Sequence, residues 1–182
     1  NRTPLCSKVL KAERLQKFVK AGDTLYFGID EKEIHRASRI TPIYERFNCK
    51  CVFPLIDNHI SKEQAFKTIE DLGIEKPQMY RDGFEHNNCS GGCVRAGKKQ
   101  WKLLLRLYPE VYAERERVEA EFSEWNNKRR KEKDQSYTGR GYTYMKDMSL
   151  RELRELIEKQ PMLDFFDNEW QGECIGICGS MN

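Results

Sequence analysis

Two short apolar segments constrain this chain most: "TLYFGI" (24–29) and "CKCVFPLI" (49–56). Each has the length and the β-branched and aromatic content of a buried strand, and Pro54 sits near the end of the second. Between them runs "DEKEIHRASRITPIYERF", a charged loop or short helix. After them, Ser61 to Leu72 carries the signs of a helix. Ser61 and Gln64 have capping-box spacing, Ala65, Phe66, Ile69 and Leu72 share a face, and Gly73 closes the segment. Short strands alternating with helices of about a dozen residues predict an α/β fold with a parallel sheet flanked by helices. Two strands are too few for a stable sheet on their own.

Before the first strand, "SKVLKAERLQKFVKA" (7–21) reads as a helix. Leu10, Leu15, Phe18 and Val19 form its buried stripe, Ser7 its cap and Gly22 its stop. The second half of the chain reads as helical. "KKQWKLLLRLY" (98–108) is followed by Pro109, which suits the first turn of a new helix. In that helix Val111, Val118, Phe122 and Trp125 form one apolar stripe. The polar run 126–141 reads as a mobile loop. Ser149 and Glu152 make a second capping box, opening "LRELRELIEKQ", and an aromatic, glycine-punctuated tail ends the chain. The expected organisation is an α/β portion over 1–97 and a helical extension over 98–182, with the charged loop (126–141) and a cysteine-bearing tail.

The net charge of +3 over 182 residues is too mild to argue for nucleic acid by itself, so any basic effect has to come from local clusters. Apolar content is 38% against 34% charged, low for one compact domain, which places part of the chain outside a core. No apolar run approaches the ~18 residues of a membrane span, and no secretory signal is present. Cysteines stand at 6, 49, 51, 89, 93, 174 and 178. An odd count without an export signal argues against a disulfide scaffold and for the reducing cytoplasm, where clustered thiols bind metal or do chemistry.

"GFEHNNCSGGCVRAG" (83–97) concentrates the chemistry. Its Ser-Gly-Gly suggests a phosphate loop, but no Lys-Ser/Thr follows. The glycines are better read as letting the chain turn so that Cys89 and Cys93 aim together. Cys174 and Cys178 repeat the C-x3-C spacing. Four such thiolates suit tetrahedral zinc or an iron–sulfur cluster; the alternative is four separate thiols. His86 is a reserve ligand, while Cys49 and Cys51, alternating within a strand, read as core. Arg36 and Arg39, with His35 beside them, would face one direction on a helical turn and suit phosphate or sulfate, or else form a solvated pair. Arg95, Lys98 and Lys99 open a helix where an anion is also welcome. "KRRKEK" (128–133) reads as a solvated run, with nucleic-acid contact as the alternative.

Taken together these segments resemble the phosphoadenosine phosphosulfate (PAPS) reductase family of the N-type ATP pyrophosphatase, or adenine nucleotide alpha-hydrolase, superfamily. "PLCSKVLKAERLQKFV" looks like that family's cysteine before a basic helix. "LYFGIDEKEIHRASRI" is similar to its strand with an acidic, arginine-bearing loop, and "VFPLIDNHISKEQAFKTIEDLGI" to its Pro-Leu strand and following helix. "PQMYRDGFEHNNCSGGCVRAG", the most distinctive stretch, resembles the Leu-Tyr-x-x-Gly-Phe lead-in to the cysteine pair, closest to phage and bacterial members of uncertain substrate.

The resemblance implies an adenine nucleotide (ATP, APS or PAPS) at the carboxyl ends of parallel strands, and an oxidoreductase or sulfurtransferase activity. It implies a [4Fe–4S] cluster on Cys89, Cys93, Cys174 and Cys178, with Cys6 as an alternative ligand and zinc as the alternative metal. Arg36, Arg39, His35, Arg95 and Lys98 would bind substrate or nucleotide. A thiol reductant or a nucleic acid would be the further partner. The family's Ser-Gly-Gly-x-Asp-Ser loop is absent; it would lie before Asn1. "GECIGICG" keeps the Glu-Cys of the reductases' ending in Glu173 and Cys174, but Ile175 replaces glycine and no histidine follows. Cys174 is thus a candidate nucleophile and, equally, a candidate ligand. The competing reading is a non-catalytic binding module with a structural zinc, meeting nucleic acid or a protein.

Overall fold

The computed structural model describes residues 5–87, 89–139 and 141–159. They are mostly helical and fall into two compact units, 5–76 and 77–159. Cys174 and Cys178 lie outside the described residues. No helix among the described residues is long and apolar enough to cross a membrane.

In the first unit the two expected strands form only in part, as β1 (Thr24–Tyr26) of 24–29 and β2 (Lys50–Val52) of 49–56, the end of the second turning instead into a short helix at Pro54–Asp57; they pair in parallel with Leu25 opposite Cys51. Helix α1 (Ile34–Glu45) links them, so the segment is a β-α-β crossover. The loop or short helix expected here is a helix of 12 residues with Pro42 inside it. Asp30 explains where its lead-in starts: its carboxylate accepts from the Glu33 N–H and caps the 3-10 turn Glu31–Glu33. Ile29, Ile40, Tyr44 and Cys49 form a small core, with Phe27 stacked on Phe53 at 5.4 Å. The coarse α/β expectation therefore stands as a two-stranded parallel pair in a mostly helical chain.

Helix α2 (Lys62–Asp71) begins as its sequence predicts. The Ser61 hydroxyl accepts from Gln64 N–H, and the Gln64 side chain accepts from Ser61 N–H. On its expected face Ala65, Phe66 and Ile69 are half-buried, while Leu72, just past the last residue of the helix, is 70% exposed. The N-terminal helix departs further from expectation. It is built of Leu5–Ser7, a π-helical Lys8–Ala12 and Glu13–Gln16, and ends five residues before the predicted stop at 21. Ser7 makes no side-chain cap bond, and Leu10, Leu15 and Phe18 are exposed rather than buried. Helical spacing defines a face; burial needs a second surface, and only Val19 of that stripe packs on the core.

The second unit is built on three helices: α3 (Lys98–Leu107), α4 (Pro109–Lys133) and α5 (Leu150–Lys159). Trp101, Leu104, Tyr112, Leu150 and Leu153 are fully buried at its centre. Trp101 stacks on Tyr144 and meets Tyr112 edge-on. Ser149 and Glu152 form the expected capping box at the start of α5. Cys93 and Ala96 pack in this same core, so the cysteine turn belongs to the unit that begins at Pro77, not to the α/β portion ending at 97.

Two expectations for α4 are corrected. Of the expected stripe, Val111 packs on the core and Val118 is half-buried, but the buried side is marked by Tyr112 and Glu119, seven residues apart, and Phe122 and Trp125 are 43% and 52% exposed. The helix also runs on through Lys133, where a loop was expected from 126. Lysine, arginine and glutamate are good helix formers, so dense charge here lengthens the helix instead of breaking it.

Across α4 and α5, Arg154 grips Glu116 through two bonds of 2.9 and 3.0 Å. The hydrogen bonds from Arg154 hold the Glu116 carboxyl below its usual pKa, against the opposing effect of burial. A carboxylate with a lowered native pKa adds stability above the unfolded value of about 4.3, and that stability is lost as pH falls through the native value. Arg154→Ala is therefore expected to flatten the acid limb of a stability-versus-pH curve. An acid limb identical to wild type would show that the bridge contributes nothing.

Candidate functional site

The first group of candidate residues lies beyond the carboxyl ends of β1 and β2, which the parallel pairing brings to one edge. The chain leaving β1 carries Asp30, Glu31 and then α1 with His35, Arg36 and Arg39. The chain leaving β2 carries His59, whose Nδ1 meets the Glu31 carboxylate at 2.5 Å, so both loops are joined at this edge. Arg36 and Arg39 do lie one helical turn apart, but they are differently engaged. Arg36 NH1 holds Glu33 at 2.5 Å and is mostly covered; Arg39 is exposed and donates from Nε to the His35 carbonyl at 3.2 Å. A phosphate arriving here would find Arg39 and His35 at the surface and would compete with Glu33 for Arg36.

The second group is the cysteine turn. Phe84, 3% exposed, seats its lead-in against Tyr108. Tyr108 O–H donates to Asp82, and that bond chiefly raises the phenol's pKa. Cys89, Ser90 and Gly91 then take three successive left-handed conformations, with φ of 53°, 50° and 79°. The turn is closed by Gly92 N–H on the Cys89 carbonyl and by Gln100 Nε2 on the Gly91 carbonyl. It places the two sulfurs differently. Cys89 is exposed, and Cys93 is 9% exposed among the core side chains.

The glycines have a reason beyond turning. A Cβ on Gly91 would lie 2.8 Å from Leu104 and 2.9 Å from Phe84; one on Gly92 would lie 2.8 Å from Arg115 Nε. Arg115 is therefore laid against the turn from α4, with its Nε buried and without a hydrogen-bond partner among the described residues. His86 Nε2 is buried in the same condition. Arg95 and Lys98 are half-buried at the start of α3, whose first residue follows Gly97 without a side-chain cap. Sequence spacing did not single out Arg115, because "ERERVEAE" (114–121) reads as a solvated helical face.

Thus His35, Arg36 and Arg39 share α1, while Cys89 and Cys93 lie in one turn with their sulfurs in different surroundings, and Arg95 and Lys98 follow on the way into α3. Cys6 is exposed on the N-terminal helical segment of the first unit. The five described cysteines are thiols outside any disulfide. Among the described residues no three His, Cys, Asp or Glu side chains converge as a metal site. Cys49 and Cys51 belong to the core: Cys49 Sγ donates to the Lys20 carbonyl, and burial pushes the Cys51 thiol pKa up, which disfavours a reactive thiolate. Comparison with protein-family models, with curated proteins and with solved structures finds no match for this chain.

Proposed function

We propose that this chain performs adenine-nucleotide-dependent sulfur chemistry, as a reductase or sulfurtransferase of the kind the PAPS reductase resemblance implies. The observation that carries the reading is the parallel β1–β2 pair, whose shared carboxyl edge leads into His35, Arg36 and Arg39. Ligands of α/β sheets bind at that edge, and arginine forks match phosphate and sulfate oxygens. The finer architecture, a longer parallel sheet flanked by helices, belongs to the same proposal.

In this reading Arg39 and His35 meet the anionic end of ATP, APS or PAPS, and Arg36 joins them by turning from Glu33. Cys89 and Cys93 are the mid-chain thiolates of a [4Fe–4S] cluster, Cys174 and Cys178 complete it, and Cys6 is the substitute ligand. Thiolate donors fit iron–sulfur or zinc, and the exposed Cys89 is open to a ligand-bearing partner segment. Such a cluster, when bound, supplies electron transfer or sulfur delivery. Arg95 and Lys98, half-buried at the start of α3, add positive charge near the turn.

Anaerobic purification tests the cluster. The expected result is about four irons per chain with matching acid-labile sulfide and a broad visible absorbance, lost in Cys89→Ser and Cys174→Ser. One zinc without iron would make the site structural and favour a non-catalytic module. For the nucleotide, ATP, APS or PAPS is expected to raise the melting temperature, and the Arg36→Ala, Arg39→Ala double variant to abolish the shift. A wild-type protein that no adenine nucleotide stabilises would count against the enzyme reading.

A further inference from the structure

The last turns of α4 carry a surface that the sulfur chemistry does not use. We infer that this surface, from Phe122 to Lys133 with Tyr137 and Tyr142 beside it, docks single-stranded nucleic acid. Residues 126–133 contain Lys128, Arg129, Arg130, Lys131 and Lys133 against one carboxylate, Glu132. All five cations are exposed.

The charges on the two halves of α4 are handled differently. In the amino-terminal half, Arg117 bridges Glu114 and Glu121 at 2.7 and 2.5 Å, and Glu116 is held by Arg154. In the carboxyl-terminal half, the five cations make no ion pair among the described residues. Their contacts are aromatic instead. Arg129 lies over the Trp125 ring at 5.4 Å, and Arg130 over Tyr137 at 5.2 Å. Phe122 sits 5.4 Å from Trp125 and 4.8 Å from Tyr142. Gly141 brings the backbone leading into Tyr142 close against α4, since a Cβ there would overlap Ser123.

Phe122, Trp125, Arg129 and Lys133 recur at helical spacing, so two rings and two of the cations form one stripe about 16 Å long, with Lys128 and Arg130 to either side of it. Exposed large apolar rings cost free energy in water, and unneutralised cations beside them attract a polyanion. An acidic peptide would use the cations but carries no series of flat partners for the rings, and a membrane-surface helix keeps its rings and its cations on opposite faces, whereas here Arg129 lies over Trp125. Unpaired bases offer both, phosphates for Lys and Arg and π-faces for Trp125 and Phe122. Paired bases are already stacked, which selects a single strand over a duplex.

The test is anisotropy of a labelled oligothymidylate with the full chain, against duplex DNA, heparin and anionic vesicles as competitors. The expected result is tighter binding of the single strand than of any competitor. Trp125→Ala should weaken it by about 5- to 100-fold, as loss of one stacked base predicts. Arg129→Glu with Arg130→Glu should weaken it and lower the salt slope by about 1.4, as loss of two phosphate contacts predicts. Both sites are exposed, and far-UV circular dichroism checks that each variant keeps its helices. Absence of binding, equal binding of duplex, heparin or vesicles, or binding that Trp125→Ala leaves unchanged overturns the proposal. Iron content and the nucleotide-induced melting shift stay at wild-type values in Trp125→Ala, so this test and that of the sulfur chemistry fail separately.

Discussion

Replacing Glu119 with alanine is expected to destabilise the 77–159 unit by about 3–5 kcal/mol, the largest single-residue effect we anticipate outside the cysteines. Glu119 is 3% exposed in the middle of α4. Its two carboxylate oxygens accept from the backbone N–H of Tyr144, at 2.5 Å, and of Leu150, at 2.6 Å. Those donors sit at the two ends of the segment that carries Tyr144 and Met145 into the core and then starts α5. Tyr112 assists from about two turns earlier, donating its hydroxyl to the Leu150 carbonyl at 2.7 Å. Burial pushes the Tyr112 phenol well above its ordinary pKa, so it remains a donor at neutral pH.

Alanine at 119 would strand two buried N–H groups, those of Tyr144 and Leu150, and leave a void beside them. Glutamine keeps the shape but can accept well from only one of the two donors, so Glu119→Gln is expected to lie between alanine and wild type. Chemical denaturation gives the ordering directly. In a domain of this size each kcal/mol corresponds to about 4–8 °C in melting temperature. Equal stability of all three proteins would mean that the carboxylate does not tie α4 to α5.

Gly91→Ala is expected to cost about 2–4 kcal/mol, from two additive sources. At φ +79° a Cβ is strained whatever surrounds it, and here it would also press on Leu104 and Phe84. Leu104 is 0% exposed and Phe84 3%, so neither can swing away into solvent. Gly92→Ala makes the informative control. Its φ is ordinary, and its added methyl meets the side chain of Arg115, which is only half-buried and can retreat. Thermal melting should therefore rank wild type above Gly92→Ala and Gly92→Ala above Gly91→Ala. A Gly91→Ala protein as stable as wild type would mean that the turn does not sit against Phe84 and Leu104.

Of the candidate site, residue types and local turns were legible in the sequence, and placements were not. Cys89 and Cys93 stand in a tight turn as their glycine-rich surroundings predict. One sulfur faces solvent and the other the core, however, and spacing alone carries no information about that. Arg36 and Arg39 lie on one helical turn as their spacing predicts. Glu33, three residues earlier, engages one of them, and only the backbone path around Asp30 brings it there. Arg115 and Glu119 lay hidden in a charged helical run, because their partners come from residues up to 31 positions away.

By itself the amino-acid order determined what forms within one turn. The Ser61 and Ser149 capping boxes and the start of α4 at Pro109 all depend on neighbours a few bonds apart, whereas β1 and β2 exist by pairing with each other across 26 residues. Only the tertiary structure decided which face of each helix is buried. In α4 the winning face carries a glutamate because two distant N–H groups need an acceptor, and satisfying them outweighs burying Phe122 and Trp125. Hydrophobic spacing ranks faces by their own transfer energy, while packing ranks them by what stands opposite.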